Sequence, residues 1–204
     1  VNLAYISENG SVVNGLNIIN SNLPEKIILS RDKEEILKIF AEKVPANLKN
    51  KCQMISAMSE DKQIEILGLA KKNLHFALNR KYSIPFIFSG KKEEKNKLTK
   101  ILKDLNLTLQ QGGRVLNLCD NVNKAKSMKK VIKIYKKIEK NIKTIAVGDN
   151  YNDLEMLRSS DIPCLVFNDR FILDEININK CLVSKNSAPE GWAEIVKMAL
   201  EKIE

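Results

Sequence analysis

The spacing of apolar residues changes several times along the chain, and each change predicts a different element. Apolar runs too short for a helix predict strands at 3–6, 12–13, 82–89, 107–109, 115–118, 144–147, 163–167 and 181–183. Apolar residues three or four positions apart predict amphipathic helices that begin near residue 32 and that cover 61–69, 70–80, 91–105, 124–140, 152–159 and 189–202. Between the first two strands, Asn9-Gly10 is a strong turn signal, which predicts a hairpin at the start of the chain.

The order of these elements predicts two kinds of architecture. Residues 28–118 mix helices with hairpin-like strands, which is typical of an α+β unit. From residue 124 onward, helices and strands alternate, which predicts an α/β fold with a parallel sheet.

A cluster of polar residues follows the predicted strand 144–147. Gly148 ends the strand, so Asp149 is expected at its carboxyl end, where open α/β sheets bind their ligands. Asn152 and Asp153 open the next helix, and two carboxylates with an amide suit a hard cation such as Mg²⁺. The alternative is that these residues serve only as turn and N-cap residues, which Asp and Asn also favour.

Composition narrows the class of protein. With 204 residues, 44% hydrophobic and 29% charged, the chain is expected to form one domain or two small ones. The sequence has no apolar run of membrane-spanning length and no secretory signal, so no membrane partner is expected. The four cysteines are widely spaced, which favours reduced thiols and a cytoplasmic location.

The net charge of +9 comes almost wholly from lysine. In 124–140 most lysines lie off the apolar stripe, which indicates a solvated helix face and no nucleic-acid partner. A nucleic-acid binder remains an alternative, and it predicts steeply salt-dependent binding of DNA or RNA.

Several motifs occur in the order found in one family. The pattern Gly148-Asp149-x-x-Asn152-Asp153-x-x-Met156-Leu157 resembles the fourth motif of haloacid-dehalogenase-like phosphatases. Further stretches resemble the mannosyl-3-phosphoglycerate phosphatases, namely Glu8-Asn9-Gly10, 54–69, 77–86, Gly112-Gly113-Arg114, 123–125 and Pro189-Glu190-Gly191-Trp192. The resemblance implies a Rossmann-like core with a parallel sheet and an inserted α+β cap domain. We expect the core at 1–27 and 119–204 and the cap at 28–118.

The resemblance also implies a chemistry. Members of the family are phosphoric monoester hydrolases that release phosphate through an aspartyl-phosphate, with Mg²⁺ as cofactor. By that resemblance Asp149 holds Mg²⁺, Asp153 supports the metal or its water, Lys124 offsets phosphoryl charge, and Asn152 fixes the loop.

The same resemblance places substrate contacts in the cap. Arg80 and Arg114 are candidates for binding the glycerate or another distal anion, because a guanidinium binds carboxylates and phosphates well. Gly113 belongs to the same candidate loop as Arg114. Either arginine could equally be a member of a structural ion pair. The implied partner is a small phosphorylated sugar-glycerate, and the oligomeric state is left open.

Two departures from the family pattern stand out. Asn123 and Ala125 replace the family's Asp and Gly on either side of Lys124, and Ala125 would be strained if that position needed a positive φ. The family's Asp-x-Asp motif, which supplies the nucleophile, does not occur in the sequence. The chain opens with Val1 inside an apolar stretch, so we expect that motif and the first core strand to precede it, and no catalysis by the chain alone.

These observations lead to one main hypothesis and two further alternatives besides the nucleic-acid binder. The intact protein is expected to convert mannosyl-3-phosphoglycerate to mannosylglycerate, a step of mannosylglycerate biosynthesis. A related phosphatase acting on glucosyl-3-phosphoglycerate, or one of the sucrose-phosphate type, is the alternative among enzymes. A short, non-catalytic protein that keeps the fold is the alternative outside them.

Overall fold

A computed structural model describes residues 3–112, 114–169 and 177–203. The chain forms two compact units, 1–122 and 123–204. The predicted domain boundaries at 28 and 118 stay a prediction. Among the described residues, no helix combines the length and the apolar character that crossing a membrane requires.

The first unit begins with a small antiparallel sheet. Strands β1 (Tyr5–Ser7), β2 (Val12–Asn14) and β3 (Lys26–Ile28) lie in that order, with Ser7 opposite Val12 and Val12 opposite Ile28. A turn at Glu8–Gly10 joins β1 to β2, which confirms the predicted hairpin. Helix α1 (Leu16–Ile19) follows β2.

The turn also fastens this sheet to a later strand. Glu8 has a φ of 46°, a backbone conformation that side chains other than glycine seldom adopt. Its carboxylate accepts hydrogen bonds from the backbone N–H groups of Lys81 and Tyr82 and from the Ser83 hydroxyl, each at 2.9 Å. The three bonds offset the cost of the unusual φ.

The remainder of the first unit is built on a four-stranded antiparallel sheet. Its order is β4 (Cys52–Met54), β5 (Ser83–Phe88), β7 (Leu116–Asp120) and β6 (Leu107–Gln111). Helices α2 (Lys33–Lys43) and α6 (Lys92–Asp104) pack against it. Ile36 and Phe40 of α2 and Leu98 and Leu102 of α6 enter one apolar core with Phe86, as their spacing predicts.

Shorter helices complete this unit. They are α3 (Ala46–Lys49), α4 (Glu60–Leu67) and α5 (Lys71–Leu78). Gly68 ends α4 with a φ of 62°, which explains the predicted break between two helices. Ser59 occupies the N-cap position of α4, and its side chain makes no capping hydrogen bond.

A partly buried ion pair joins the segment that leads into α2 to the end of β7. The Asp120 carboxylate accepts hydrogen bonds from Arg31 N–H at 2.8 Å, Nε at 3.0 Å and Nη2 at 2.8 Å. Burial favours a raised pKa for Asp120, but the Arg31 hydrogen bonds and charge, with the Asn121 N–H, outweigh it and hold the pKa below its usual value.

The second unit contains a parallel sheet with helices on both faces. Its order is β10 (Leu182–Val183), β9 (Ile162–Leu165) and β8 (Ile145–Gly148). Leu165 packs with Leu157 of α8 (Leu154–Arg158) on one face. Its neighbour Cys164 packs with Ile195 and Ala199 of α9 (Glu190–Leu200) on the other. This alternation confirms the predicted parallel α/β arrangement.

The first helix of this unit, α7 (Lys124–Tyr135), ends five residues before the predicted position 140. Ile138, which is inside the predicted range, lies beyond the helix and is 49% exposed. The stability of a helix in a protein comes mainly from packing. A last turn whose apolar residue does not reach a core therefore adds little stability, and the helix ends before it.

Candidate active site

The centre of the candidate site is the loop between β8 and α8. A tight turn, Tyr151–Asp153, follows the strand and leads directly into α8. Asn150 holds this turn, because its side-chain oxygen accepts the Tyr151 N–H at 2.7 Å and its carbonyl accepts the Asp153 N–H at 2.9 Å. Asp149 therefore lies exposed just beyond the carboxyl end of β8, as the sequence predicts.

Asp153 is the buried member of the site, with only 4% of its surface exposed. Its Oδ1 pairs with Lys124 Nζ at 2.6 Å, and its Oδ2 accepts the backbone N–H of Asp149 at 3.3 Å. Both carboxylate oxygens thus have partners within the protein. The structure brings together three of the predicted residues, Lys124, Asp149 and Asp153.

Gly148 is required by the close approach of Asp153. A Cβ at Gly148 would overlap the Asp153 Cβ and would lie 2.8 Å from its Cγ. Any larger residue at 148 would push Asp153 away from Lys124. The glycine in the motif is therefore explained by packing.

Lys124 is the first residue of α7, and the two departures beside it are accommodated. Asn123 is the N-cap, and its Oδ1 accepts the Lys126 N–H at 2.8 Å, a role that Asp and Asn fill equally well. Its Nδ2 also donates to Glu155 Oε2 at 2.7 Å. Ala125 lies inside the helix, 1% exposed and without a positive φ, so the anticipated strain is absent.

Asn152, predicted to fix the loop, is exposed. Within the described residues its side chain makes no hydrogen bond, and the bonds that hold the turn come from Asn150. The proposed role of Asn152 stays a prediction. Sequence reasoning overlooked Asn150, although an Asn directly after a strand and before a turn is a recognisable capping signal.

The site opens into a cavity of about 230 Å³. It is lined by Lys124, Val147, Gly148, Asp149, Asp153, Val166, Ala188 and Trp192. One cation and two carboxylates give its wall a net negative charge, and Trp192 adds an aromatic surface that is 54% exposed. The cavity therefore combines charged groups with one apolar wall.

The residues present fit a Mg²⁺ ion held by few protein ligands. Among residues 3–112, 114–169 and 177–203 no group of three or more His, Cys, Asp or Glu side chains could hold a metal. Mg²⁺ does not need such a cage, since it keeps several waters and is bound through one or two carboxylates and substrate phosphates. Asp149 offers an exposed carboxylate, whereas the Asp153 oxygens are already engaged.

The candidate arginines lie in the first unit. Arg80 follows α5 and is half-buried, with its Nε donating to the Ala77 carbonyl at 2.9 Å. Its Nη1 donates to Ser83 Oγ at 3.3 Å, the hydroxyl that in turn donates to Glu8. These contacts hold the guanidinium in place, and they leave its role in substrate binding a prediction.

Arg114 has a different environment. It is exposed, and its guanidinium lies directly over Gly68, where a Cβ would overlap it. It lines a cavity of about 240 Å³ that also includes Phe86, Lys92 and Lys95. Gly113, the third predicted substrate residue, lies outside the described residues.

Comparison with known proteins agrees with this fold. A sequence model of the haloacid dehalogenase-like hydrolases matches residues 1–196, and the chain belongs to this family of hydrolases. A haloacid dehalogenase-like hydrolase from B. subtilis superposes with a TM-score of 0.58 at 17% identity, over 97% of this chain and 79% of its own. Another, from Bacteroides thetaiotaomicron, gives 0.55 at 13% identity, over 96% and 74%. These neighbours confirm the predicted fold class.

Two curated relatives bear on the more specific resemblance. A protein of Persephonella marina named glucosyl-3-phosphoglycerate/mannosyl-3-phosphoglycerate phosphatase is 28% identical over 213 residues, covering 98% of this chain and 77% of the relative. A protein of Methanococcoides burtonii with the same name is 28% identical over 131 residues. That match covers 61% of this chain and 46% of the relative, less than half its length. The resemblance stated from the motifs is confirmed.

Proposed function

We propose that this chain carries the metal and phosphate site of a Mg²⁺-dependent phosphatase that acts on hexosyl-3-phosphoglycerates. The observation that supports this most directly is the Lys124–Asp153–Asp149 cluster at the end of β8, in a cavity of about 230 Å³. A buried acid, a lysine and an exposed carboxylate together suit a phosphoryl group that approaches with a hard cation.

Each residue has a distinct proposed role. Asp149 holds Mg²⁺, which when bound offsets negative charge on the phosphoryl group. Lys124 places a positive charge against a phosphoryl oxygen from the first turn of α7, where the helix also favours an anion. Asp153 keeps Lys124 and the Asp149 backbone in position, because it bonds to both.

The overall reaction is hydrolysis of a phosphate monoester. In the proposed course an aspartate carboxylate attacks phosphorus, and the ester oxygen leaves with the sugar-glycerate and takes up a proton. Water then hydrolyses the aspartyl-phosphate, which releases phosphate and restores the carboxylate. No Asp-x-Asp motif in this sequence supplies that nucleophile, so the steps assigned to this chain are binding and charge stabilisation.

The choice of substrate rests on the relatives and on the arginines. Both curated relatives carry the glucosyl and the mannosyl compound in their names. We therefore propose mannosyl-3-phosphoglycerate and its glucosyl analogue as substrates, with Arg80 and Arg114 as candidates for binding the glycerate or another distal anion. The four cysteines are free thiols, which supports a cytoplasmic location. The role in mannosylglycerate biosynthesis follows from the proposed substrate alone.

The test is phosphate release by the full-length gene product from each of the two esters, with Mg²⁺ and then with EDTA. We expect phosphate release only with Mg²⁺. In Asp149→Asn we expect turnover to fall by about 100-fold or more, which is a larger loss than that caused by changing a residue that contacts only a metal ligand. The matched control is Asp104→Asn, which removes an exposed carboxylate at the end of α6 and is expected to leave turnover unchanged. Undiminished turnover in EDTA and in Asp149→Asn, or no release from either ester, contradicts the proposal.

A further inference from the structure

We propose that Trp192 is a substrate-binding residue, whose indole contacts the carbon skeleton of the ester beside the phosphate. This inference rests on the proposed function, since it assigns part of the substrate to one wall of the same cavity. The ligand it implies is a phosphate ester with an extended sugar or glycerate part, and not the phosphate ion alone.

The position of the ring is the first observation. Trp192 lines the cavity that contains Lys124, Asp149 and Asp153, although it is remote from them in sequence. It is 54% exposed, while Ile195, one turn further along α9, is fully buried. A large aromatic side chain left open beside three charged groups is available to a ligand that has both a charged and an apolar part.

The segment before α9, residues 184–186, is held by several independent contacts. A Cβ at Gly191 would overlap the Asn186 carbonyl, so the start of α9 lies directly against this segment. The buried Ser184 hydroxyl donates to the same Asn186 carbonyl at 2.7 Å and accepts the Phe167 N–H at 2.8 Å. These contacts position the first turn of α9 before any ligand arrives.

Glu194 adds a further restraint. Its carboxylate accepts the backbone N–H of Lys185 at 3.2 Å and that of Asn186 at 3.4 Å. Glu194 and Trp192 share the first two turns of α9, so the glutamate holds the helix against residues 185–186 while Trp192 lines the cavity and stays 54% exposed. The binding surface is therefore preorganised, which lowers the entropy lost on binding.

The chemistry of indole decides which ligand benefits. Its flat face gains from covering C–H surface, whereas a phosphate ion presents only strongly hydrated oxygens. We therefore expect Trp192 to discriminate between the ester and inorganic phosphate. Loss of the ring is expected to weaken ester binding about tenfold, and to change phosphate binding by less than about twofold.

The experiment uses the chain itself, since binding needs no nucleophile. Trp192 is the single tryptophan of the 204 residues, so its emission reports on this cavity alone. With Mg²⁺ present, we expect glucosyl-3-phosphoglycerate to change that emission saturably and inorganic phosphate to change it little. Dissociation constants for both ligands are then measured by calorimetry in the wild type, Trp192→Ala and Trp192→Phe.

The expected pattern is a selective loss. Trp192→Ala binds the ester about tenfold more weakly but keeps phosphate affinity, and Trp192→Phe recovers part of the loss. The control is Phe76→Ala, which removes another exposed aromatic ring, 78% accessible and remote in sequence from the cavity residues, and is expected to change neither constant.

Three results overturn the inference in distinguishable ways. If the wild type and Trp192→Ala bind the ester with equal affinity, the proposed contact is disproved and the proposed function is unaffected. Parallel loss of both ligands in Trp192→Ala shows that the ring supports the fold of the site instead. If the wild type binds neither ligand, the proposed function itself fails and the inference fails with it.

Discussion

The ion pair between Arg31 and Asp120 permits a sharp test of how the first unit is held together. Asp120→Asn keeps the size of the side chain and removes its charge. The amide oxygen can still accept one of the Arg31 bonds, but the NH₂ group then faces a guanidinium donor. The pair at present makes three hydrogen bonds, at 2.8, 3.0 and 2.8 Å, between residues far apart in sequence.

The magnitude follows from these contacts. A hydrogen bond to a charged group contributes about 1.5–3 kcal/mol, and the substitution disrupts at least one and weakens another. The Asp120 side chain is 11% exposed and that of Arg31 26%, so solvent screening reduces the sum. We expect a loss of about 2–3 kcal/mol in the free energy of unfolding, which lowers Tm by about 5–10 °C.

The matched control is Glu60→Gln, which makes the same chemical change in an exposed pair. Lys71 and Glu60 lie 2.5 Å apart, with side chains 75% and 51% exposed. Because solvated pairs contribute little, no measurable change in Tm is expected. The two variants are compared with the wild type by thermal and urea unfolding, monitored by circular dichroism.

The dependence of stability on acidic pH is a second test of the same ion pair. The pKa of Asp120 is lower in the folded state than in the unfolded state. The contribution of this carboxylate to the free energy of unfolding is therefore complete above the unfolded pKa of about 3.9, and it is lost as the pH falls through the folded-state pKa. The stability difference between wild type and Asp120→Asn must therefore shrink in that acid range. The reasoning would be refuted if Asp120→Asn and Glu60→Gln lowered Tm equally. It would also be refuted if the stability difference between the wild type and Asp120→Asn persisted at the lowest pH.

Two further predictions concern the second unit and the thiols. Gly148→Ala is expected to displace Asp153, to cost about 1–3 kcal/mol and to weaken Mg²⁺ binding measured by calorimetry, and wild-type affinity would contradict the packing argument. Burial raises the pKa of the Cys119 thiol to about 12 and that of Cys52 to about 11. Both are therefore expected to resist iodoacetamide at pH values up to about 8 until the chain unfolds, and mass spectrometry showing Cys119 modified as fast as a free thiol would contradict this.

Local pattern was enough to locate most of the elements. The 3.6-residue spacing in α2 and α6 identified their buried residues, and the alternation of helix and strand after residue 124 predicted the parallel sheet. The same pattern overestimated α7, because an apolar residue at the right spacing does not show whether a core exists for it to meet. At the start of α9, Pro189 directly precedes the helix and no side chain caps it.

Contacts between distant residues could not be predicted in this way. Arg31 with Asp120, and Glu8 with the backbone at 81–83, depend on the register of strands far apart in sequence. Glu8 also adopts a positive φ that its residue type argues against. Within the candidate site, the motif identified Asp149 and Asp153, but only the fold shows that Asp153 is the buried residue that pairs with Lys124.

That distinction between the two aspartates bears on how the site works. Asp153 has both oxygens satisfied by Lys124 and by the Asp149 backbone, so it is not a buried acceptor that needs an ion to satisfy it. Asp149 is exposed and pays no desolvation cost in the absence of a cation. The site can therefore be assembled by folding alone, with Lys124 and Asp149 already placed when a cation and a phosphate arrive.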